Sequence, residues 1–313
     1  MKKLLLIVTV FLFCTQNVSS TDSSGNWPKW RGPNDNGVTV GSPPIEWSES
    51  LNIKWKTPIP GTGHATPIVW KGRIYVQTAD GAGSEGDKLR FKLLAIDQLT
   101  GKQIWEKTLR ESSPAESKHH NTASFVSTSG ITDGKHLYAY FGSQGLYCLD
   151  FEGKIVWEKD LGDMRTRNSF GEGSSPSIQG NTLVVNWDHE DDSFIVALDK
   201  RSGKELWRRT RDEVTSWGTP LIVKHKKGHQ VVVSASDKTR SYDLKTGDII
   251  WDVAGLGTNA IPMPLHENGV IYVTSGHRSP AMLAIILDKA KGDITGTDAV
   301  LWSITQNTPY VSS

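Results

Sequence analysis

The sequence has 313 residues, which is enough for one large domain or two ordinary ones. Its formal net charge is +1 at pH 7, and no long run of one charge sign occurs, so nothing indicates nucleic acid or an anionic membrane surface as a partner. Twelve Trp and 30 Gly residues favour short strands joined by tight turns, and no long segment keeps an apolar period of helical length. The composition therefore predicts an all-β fold.

The first element in chain order is a predicted signal peptide at residues 1–20. Two lysines precede an apolar run from Leu4 to Phe13, and small residues follow at 18–20. This is the layout of a secretory signal, and the run is too short to span a bilayer. We expect cleavage near Ser20-Thr21 and an exported protein, periplasmic or secreted, that does not span the membrane.

The two cysteines give no disulfide framework. Cys14 lies in the predicted signal peptide, and the bulky Phe13 before it does not fit cleavage of a lipoprotein signal. Cys148 lies two residues before Asp150, and in related segments Ala95 and Ala197 lie two residues before Asp97 and Asp199. A small, buried strand position explains Cys148 better than a nucleophile, because a nucleophile needs an activating base.

A tryptophan repeat organises the remaining chain. The intervals between six of these residues are 50, 52, 50, 44 and 51, for Trp55, Trp105, Trp157, Trp207, Trp251 and Trp302. A period of about 40–50 residues in a β-rich sequence indicates a propeller of four-stranded blades. We predict an N-terminal extension at 21–51 and a propeller domain at 52–313. Complete blades are expected at 64–109, 122–161, 173–211, 217–254 and 259–304.

Each predicted blade has the same order of strands. The first strand contains a proline, which suits the edge strand beside the central channel because proline cannot donate to the ladder. The second is rich in β-branched and aromatic residues, as a central strand should be. The third ends at an aspartate and the fourth carries the tryptophan. The predicted second strands are 73–78, 136–141, 182–187, 230–235 and 270–275.

The turn between the third and fourth strands has a recurring aspartate and glycine. The aspartate can accept backbone N–H bonds and the glycine can adopt positive φ. The pairs are Asp97 and Gly101, Asp150 and Gly153, Asp199 and Gly203, and Asp243 and Gly247. We expect the following tryptophan to pack on the neighbouring blade. In the fifth blade Asp288 and Gly292 keep the spacing, while residues 293–299 are expected to be an insertion in the outer hairpin.

The motif A-x-D-x-x-T-G-K-x-x-W is met in full from Ala95 to Trp105, and with Ser for Thr from Ala197 to Trp207. It resembles the tryptophan-docking motif of the PQQ-type β-propeller repeat, and residues 27–39 are similar to the start of many exported members. That family includes quinoprotein alcohol dehydrogenases and the outer-membrane assembly scaffold BamB. The resemblance is specific for the blade and much less so for activity, because the motif is a packing device.

The blade count predicts an incomplete ring. Residues 52–59 resemble an isolated fourth strand that would close the last blade, and residues 307–313 resemble the first strand of a further blade. Five complete blades of about seven or eight are therefore expected. We predict that the chain is truncated at its C-terminus and that the full-length protein is a monomer.

Candidate binding residues lie in the long loops after the second and fourth strands, which share one face. They are His119, His120, Arg165, Arg167, Asn168, Trp217, His277 and Arg278. The two arginines at 165 and 167 can grip a carboxylate or phosphate, and the tryptophan can stack on a ring. The alternative for each is an ordinary solvated loop side chain. The His119-His120 pair and residues 188–192 lack metal-ligand spacing and are expected to be solvated turns.

Three functions remain open. The resemblance to BamB implies an exported scaffold that binds a protein or another cell-envelope ligand without catalysis, and this is the function we favour, with no cofactor and no catalytic residue. The first alternative is a dehydrogenase holding PQQ with calcium. Such enzymes have an adjacent cysteine pair and a Glu/Asn/Asp calcium set, neither of which a motif here supplies. The second alternative is a sensor that binds a carbohydrate or peptide.

Overall fold

The computed structural model describes residues 25–81, 88–116, 119–226 and 228–313. The predicted signal peptide lies outside these residues. Over the described ranges, the strands form five sheets, and each sheet contains four antiparallel strands in the order of the chain. The predicted all-β propeller with five four-stranded blades is confirmed. No described helix has the length and apolar character needed to cross a membrane.

The bounds of the elements follow the predicted period. Blade 1 contains β1 (Ile68–Trp70), β2 (Arg73–Asp80), β3 (Leu89–Asp97) and β4 (Gln103–Ser112). Blade 2 contains β5 (Ile131–Thr132), β6 (Leu137–Tyr140), β7 (Leu146–Leu149) and β8 (Ile155–Lys159). Blade 3 contains β9 (Ser177–Gln179), β10 (Thr182–Trp187), β11 (Phe194–Asp199) and β12 (Glu205–Thr210).

Blade 4 contains β13 (Leu221–His225), β14 (Gly228–Val233), β15 (Lys238–Asp243) and β16 (Ile249–Ala254). Blade 5 contains β17 (Leu265–Glu267), β18 (Val270–Ser275), β19 (Ala281–Ile286) and, after the short β20 (Gly292–Asp293), β21 (Val300–Ile304). Two short 3-10 helices occupy Gly142–Gln144 and Arg167–Ser169. The prolines predicted inside the first strands instead precede them, because proline has no N–H for the ladder; they are Pro67, Pro176, Pro220 and Pro264.

Hydroxyl groups connect the blades just before their first strands. The backbone N–H of Thr66 donates to Ser129 Oγ at 2.9 Å, and that of Ser129 donates to Ser175 Oγ at 2.9 Å. Ser175 continues the series to Thr219 Oγ1 at 3.1 Å. Each bond satisfies a buried N–H through a side chain of the next blade, so the series fixes the inner edges of adjacent blades to one another.

The indole groups in the fourth strands of blades 1 to 3, and that of Trp55 before blade 1, contact the next blade in a regular way. Trp105 donates its Nε1–H to the Phe151 carbonyl at 3.0 Å, and Phe151 directly follows Asp150. The same relation holds at 2.9–3.0 Å for Trp55 to Gln98, Trp157 to Lys200 and Trp207 to Leu244. In each case the accepting residue follows the aspartate of the neighbouring turn.

The fifth blade departs from the predicted spacing. Ile286, not Asp288, occupies the ladder position of the turn aspartate: it pairs with Val270, as Asp97 pairs with Arg73. Asp288 lies beyond the strand, with its carboxylate 3.1 Å from Lys226 Nζ in blade 4. The expectation that Asp288 keeps the motif is therefore wrong, and Ala284, two residues before Ile286, is the small residue opposite Trp302.

The expected insertion at 293–299 belongs in part to another blade. The strand β20 pairs in parallel with Trp251 and Asp252 at the outer edge of blade 4. Trp251 is fully buried and donates its indole N–H to Gln230 Oε1 at 2.8 Å, within its own blade. Trp302, by contrast, remains 38% exposed.

Residues 27–30 of the N-terminal extension contact the blades. The backbone of Trp27 exchanges two hydrogen bonds with Val69 in β1, at 2.7 and 2.9 Å. Trp30 packs against the hydrophobic core of blades 4 and 5. Residues 52–59 form no strand, although Trp55 contacts the turn of blade 1 where a preceding fourth strand would place its tryptophan.

Cys148 is fully buried in β7, opposite Trp157. Burial raises the pKa of its thiol to about 12. A thiol in this state is a poor nucleophile, in agreement with a structural position.

Candidate functional site

Hydrogen bonds between loops define two faces of the propeller. On one face, the turns after the first and third strands meet, as where Gln98 N–H donates to the Gly72 carbonyl at 2.9 Å. On the other, the loops after the second and fourth strands meet, as where Glu190 N–H donates to the Arg165 carbonyl at 2.9 Å. We call the second the long-loop face, and the grouping of loops predicted from strand direction is confirmed.

A cavity of about 620 Å³ opens among the segments that precede the first strands. Its volume is in the range of small-molecule sites. Aromatic rings form much of its wall, from Trp30, Phe170, Trp217 and Tyr310. The remaining lining includes Glu172, Asn259, Ile261 and the imidazoles of His64, His120 and His277. Among the described residues that line it, Glu172 is the only Asp, Glu, Lys or Arg.

Glu172 lies at the wall of this cavity, between two glycines. Its carboxylate accepts the Ser143 backbone N–H at 2.8 Å and the Ser143 hydroxyl at 2.5 Å. Gly142 makes room for it, because a Cβ there would overlap the carboxylate. Burial, with smaller contributions from Glu116 and Asp163, raises the pKa of Glu172 to about 7. The site thus has a carboxyl group that titrates near neutral pH.

Asn259 and Trp217 form another part of the wall. Asn259 is 4% exposed, adopts φ of +62°, and its Oδ1 has no hydrogen-bond partner among the described residues. Trp217 donates its indole N–H to the Gly171 carbonyl at 2.7 Å, which fixes the ring and leaves its π surface for contact. A Cβ at Gly173 would come within 2.9 Å of that ring.

Sequence reasoning missed Glu172 and Asn259. The signals available were a glutamate flanked by glycines five residues before the first strand of blade 3, and an asparagine six residues before the first strand of blade 5. Neither spacing matches a known ligand motif.

Only three of the predicted site residues line the cavity: His120, Trp217 and His277. The His277 ring stacks on Tyr310 with centroids 5.3 Å apart. His120 Nδ1 lies 2.7 Å from Thr122 Oγ1. His119 lines a smaller neighbouring pocket, together with Glu116 and Glu172.

The other predicted residues lie away from the cavity. Arg165 forms an exposed two-point ion pair with Asp191, at 2.6 and 3.2 Å, so its guanidinium is already engaged. Asn168 and Arg278 are exposed and adopt positive φ, while the Arg167 backbone N–H donates to Thr215 Oγ1 at 2.9 Å. They lie in loops of the long-loop face, outside the lining of the cavity.

A buried ion pair lies behind the cavity. Asp188 and Arg211 have fully buried side chains, and their two hydrogen bonds measure 2.6 and 3.0 Å. The Tyr242 hydroxyl accepts a hydrogen bond from Arg211, and the Ser216 hydroxyl donates one to Asp188, both at 2.5 Å. Asn186 Nδ2 also donates to Asp188, at 3.1 Å. Burial alone would lower the pKa of Arg211, but Asp188 raises it overall. The expectation of a solvated turn at 188–192 is therefore wrong for Asp188.

No group of three or more His, Cys, Asp or Glu side chains suited to a metal ion occurs in the described part of the chain. The pair formed by Glu172 and Asn259 still offers one carboxylate and one amide oxygen at a single cavity. An oxygen-ligand cation such as calcium needs about six to eight ligands.

Comparisons with known proteins agree with the fold. The family model described as outer membrane protein assembly factor BamB matches residues 45–190 and 191–312. A tetrathionate hydrolase of Acidithiobacillus ferrooxidans is 26% identical over 248 residues, covering 72% of this chain and 44% of that protein. BamB of Yersinia pestis is 23% identical over 222 residues, covering 67% of this chain and 49% of that protein.

The chain therefore spans about half the length of these relatives. Among solved structures, quinohemoprotein alcohol dehydrogenase from Comamonas testosteroni superposes with a TM-score of 0.51 at 15% identity, covering 79% of this chain and 43% of that one. This likeness concerns the fold alone. Because the family model matches most of the sequence, the chain belongs to the BamB-type family of PQQ-like β-propeller proteins.

Proposed function

We propose that the protein is a non-catalytic propeller scaffold of the cell envelope, which binds a protein or another envelope ligand on its long-loop face. The observation that carries the proposal is the match of the assembly-factor family over residues 45–312, together with a rigid set of blades presenting long loops on one side. The predicted signal peptide supports export, and we expect the protein to be a monomer.

Physical features of the long-loop face support this role. Side-chain hydrogen bonds link neighbouring loops. Glu190 Oε1 accepts a hydrogen bond from the Thr215 hydroxyl at 2.7 Å, and Glu116 Oε2 accepts one from the Thr166 hydroxyl at 2.6 Å. Loops ordered before binding lose less conformational entropy when a partner docks. The exposed Arg278 then offers a charge for contact beside them.

Site-specific photo-crosslinking in the native host tests the proposal. A photoreactive amino acid replaces Arg167 or Arg278 on the long-loop face, or Lys102 or Lys204 on the opposite face as matched controls. We expect discrete protein adducts from the first pair and none from the second. No adducts at Arg167 and Arg278, or equal adducts on both faces, would overturn the assigned face.

A second candidate is a PQQ-dependent dehydrogenase. Glu172, Asn259 and Trp217 line one cavity, and they are the residue types that the quinoprotein resemblance implies for calcium and for stacking on the cofactor. The fit is partial. Among the described residues, the lining has no Asp, and it has no Lys or Arg to receive the three carboxylates of PQQ. Cys148, the described cysteine, is buried in blade 2. We therefore favour the scaffold.

A further inference from the structure

We propose that the cavity lined by Glu172, Asn259 and Trp217 is a binding site for a small organic ammonium ion, a protonated primary amine carried on an apolar or aromatic body. The proposal goes beyond the scaffold role and does not rest on it. Partner docking takes place on exposed loops, whereas this site is formed by Glu172, Asn259 and the aromatic wall.

The charge of the cavity selects against anions and for cations. Among the described residues of the lining, which include three histidines, Glu172 is the only Asp, Glu, Lys or Arg. Its hydrogen-bond donors are the neutral groups of Ser143. A partly buried carboxylate without a cationic partner is costly, because the low dielectric favours neutralisation. An ammonium group provides the missing charge and donates hydrogen bonds to the same oxygens.

A second and independent observation indicates a donor on the ligand. Asn259 is 4% exposed, lines the cavity and has an Oδ1 without a donor among the described residues. A buried acceptor in this state costs about 1–3 kcal/mol unless a ligand or water supplies an N–H or O–H. A primary ammonium has three such donors, whereas a quaternary ammonium has none.

The aromatic wall favours the same class of ligand. Phe170 and Trp217 have ring centroids 6.2 Å apart at 56°, so they form two adjoining walls of one corner. Trp30 and Tyr310 add further ring surface to the cavity. Aromatic faces attract organic cations and also accept the apolar body of an amine. A hard dication finds too few oxygen ligands in such a lining.

Isothermal titration calorimetry of the purified protein tests the site. The probes are 2-phenylethylammonium, its neutral analogue 2-phenylethanol, the anion 3-phenylpropionate, tetramethylammonium and Ca²⁺. We work at about pH 8.5, where Glu172 is ionised and the primary amine keeps its proton. We expect 2-phenylethylammonium to bind at least about tenfold more tightly than the alcohol, as for a hydrogen bond to a charged group.

Three variants sharpen the test. Glu172→Gln should weaken the binding of 2-phenylethylammonium at least about tenfold. Asp191→Asn, which removes a charge outside the cavity, should leave this binding unchanged. Asn259→Asp keeps the shape of the side chain and tolerates positive φ. It should increase the affinity for 2-phenylethylammonium several-fold. This gain of binding keeps the test decisive if the glutamine variant folds poorly, which thermal unfolding would report.

Several outcomes would overturn the proposal. They are no binding of 2-phenylethylammonium up to about 10 mM, binding of the alcohol or the carboxylate that is as tight as that of the amine, tighter binding of tetramethylammonium, or binding of Ca²⁺ alone. The last outcome would favour the dehydrogenase candidate, since calcium is the cation that the quinoprotein resemblance implies.

Discussion

The indole of Trp207 lies against Gly247 in the next blade, so that a Cβ at Gly247 would come within 2.6 Å of the ring. Gly203 faces Trp157 and Gly101 faces Trp55 in the same way, at 2.8 and 2.5 Å. A glycine is therefore required at this turn for two physical reasons. It adopts positive φ, and it leaves space for the tryptophan of the preceding blade.

The first prediction separates these two reasons. Gly247→Ala should lower the free energy of unfolding by about 3 kcal/mol, because it combines strained φ with a clash against Trp207. Gly292→Ala is the matched control: its φ is +68°, close to the +75° of Gly247, but no atom lies within 4 Å of the added Cβ. It should cost about 1 kcal/mol. Denaturant titration measures both, and equal losses would show that the contact contributes nothing.

The second prediction concerns the tryptophans themselves. Trp207 is 7% exposed and Trp302 is 38% exposed. Trp207→Ala, like Trp157→Ala, should cost about 3–5 kcal/mol, as for other large-to-small core substitutions. Trp302→Ala should cost much less because its ring is only partly covered. Near-neutral effects at Trp207 and Trp157 in denaturant titration would refute their role in packing between blades.

The third prediction compares a buried ion pair with an exposed one. Arg211→Met leaves the buried Asp188 carboxylate without its cation and should cost about 3–5 kcal/mol. Arg165→Met breaks the ion pair with Asp191, whose side chains are more than half exposed, and should change stability by less than about 1 kcal/mol. Thermal unfolding of the two variants gives the comparison. A small effect at Arg211 would mean that the site repacks without the pair.

The fourth prediction is a pH dependence of stability. The pKa of Glu172 is raised from 4.5 to about 7, so the folded state holds its proton over this range while the unfolded state loses it. The contribution of this group to stability therefore falls as pH rises from about 4.5 to 7, by about 3 kcal/mol, and levels off above. Glu172→Gln should remove this component and be more stable than the parent at pH 8. An unchanged profile in denaturant titrations would contradict the raised pKa.

The fold could be predicted largely from the sequence because its repeat is a local pattern. The β-branched second strands match closely, as where residues 182–187 form β10. The fifth blade is harder to predict from the sequence. The pair Asp288 and Gly292 imitates the motif, while the ladder position belongs to Ile286. The small residue Ala284, two positions earlier and opposite the tryptophan, was the better guide, because packing requires a small side chain there.

The candidate site was much less predictable. Its residues come from loops of several blades, and only the arrangement of those blades places Glu172 and Asn259 at one cavity. The sequence indicates charged loop residues such as Arg165 as candidates for binding. In the structure, however, the Arg165 guanidinium forms an ion pair with Asp191. The physical mark of a site is a polar group at a cavity that has no hydrogen-bond partner in the protein. Whether a group has a partner depends on long-range contacts, which the spacing of residues in the sequence does not reveal.

The central claim, a scaffold without catalysis, is tested most directly by turnover. Purified protein is titrated with PQQ and Ca²⁺, and alcohol oxidation is followed with an electron-accepting dye. Glu172→Gln serves as the matched control. The account predicts no cofactor-dependent oxidation by either protein. Oxidation that requires both PQQ and Ca²⁺ and is lost in Glu172→Gln would contradict it and establish the dehydrogenase.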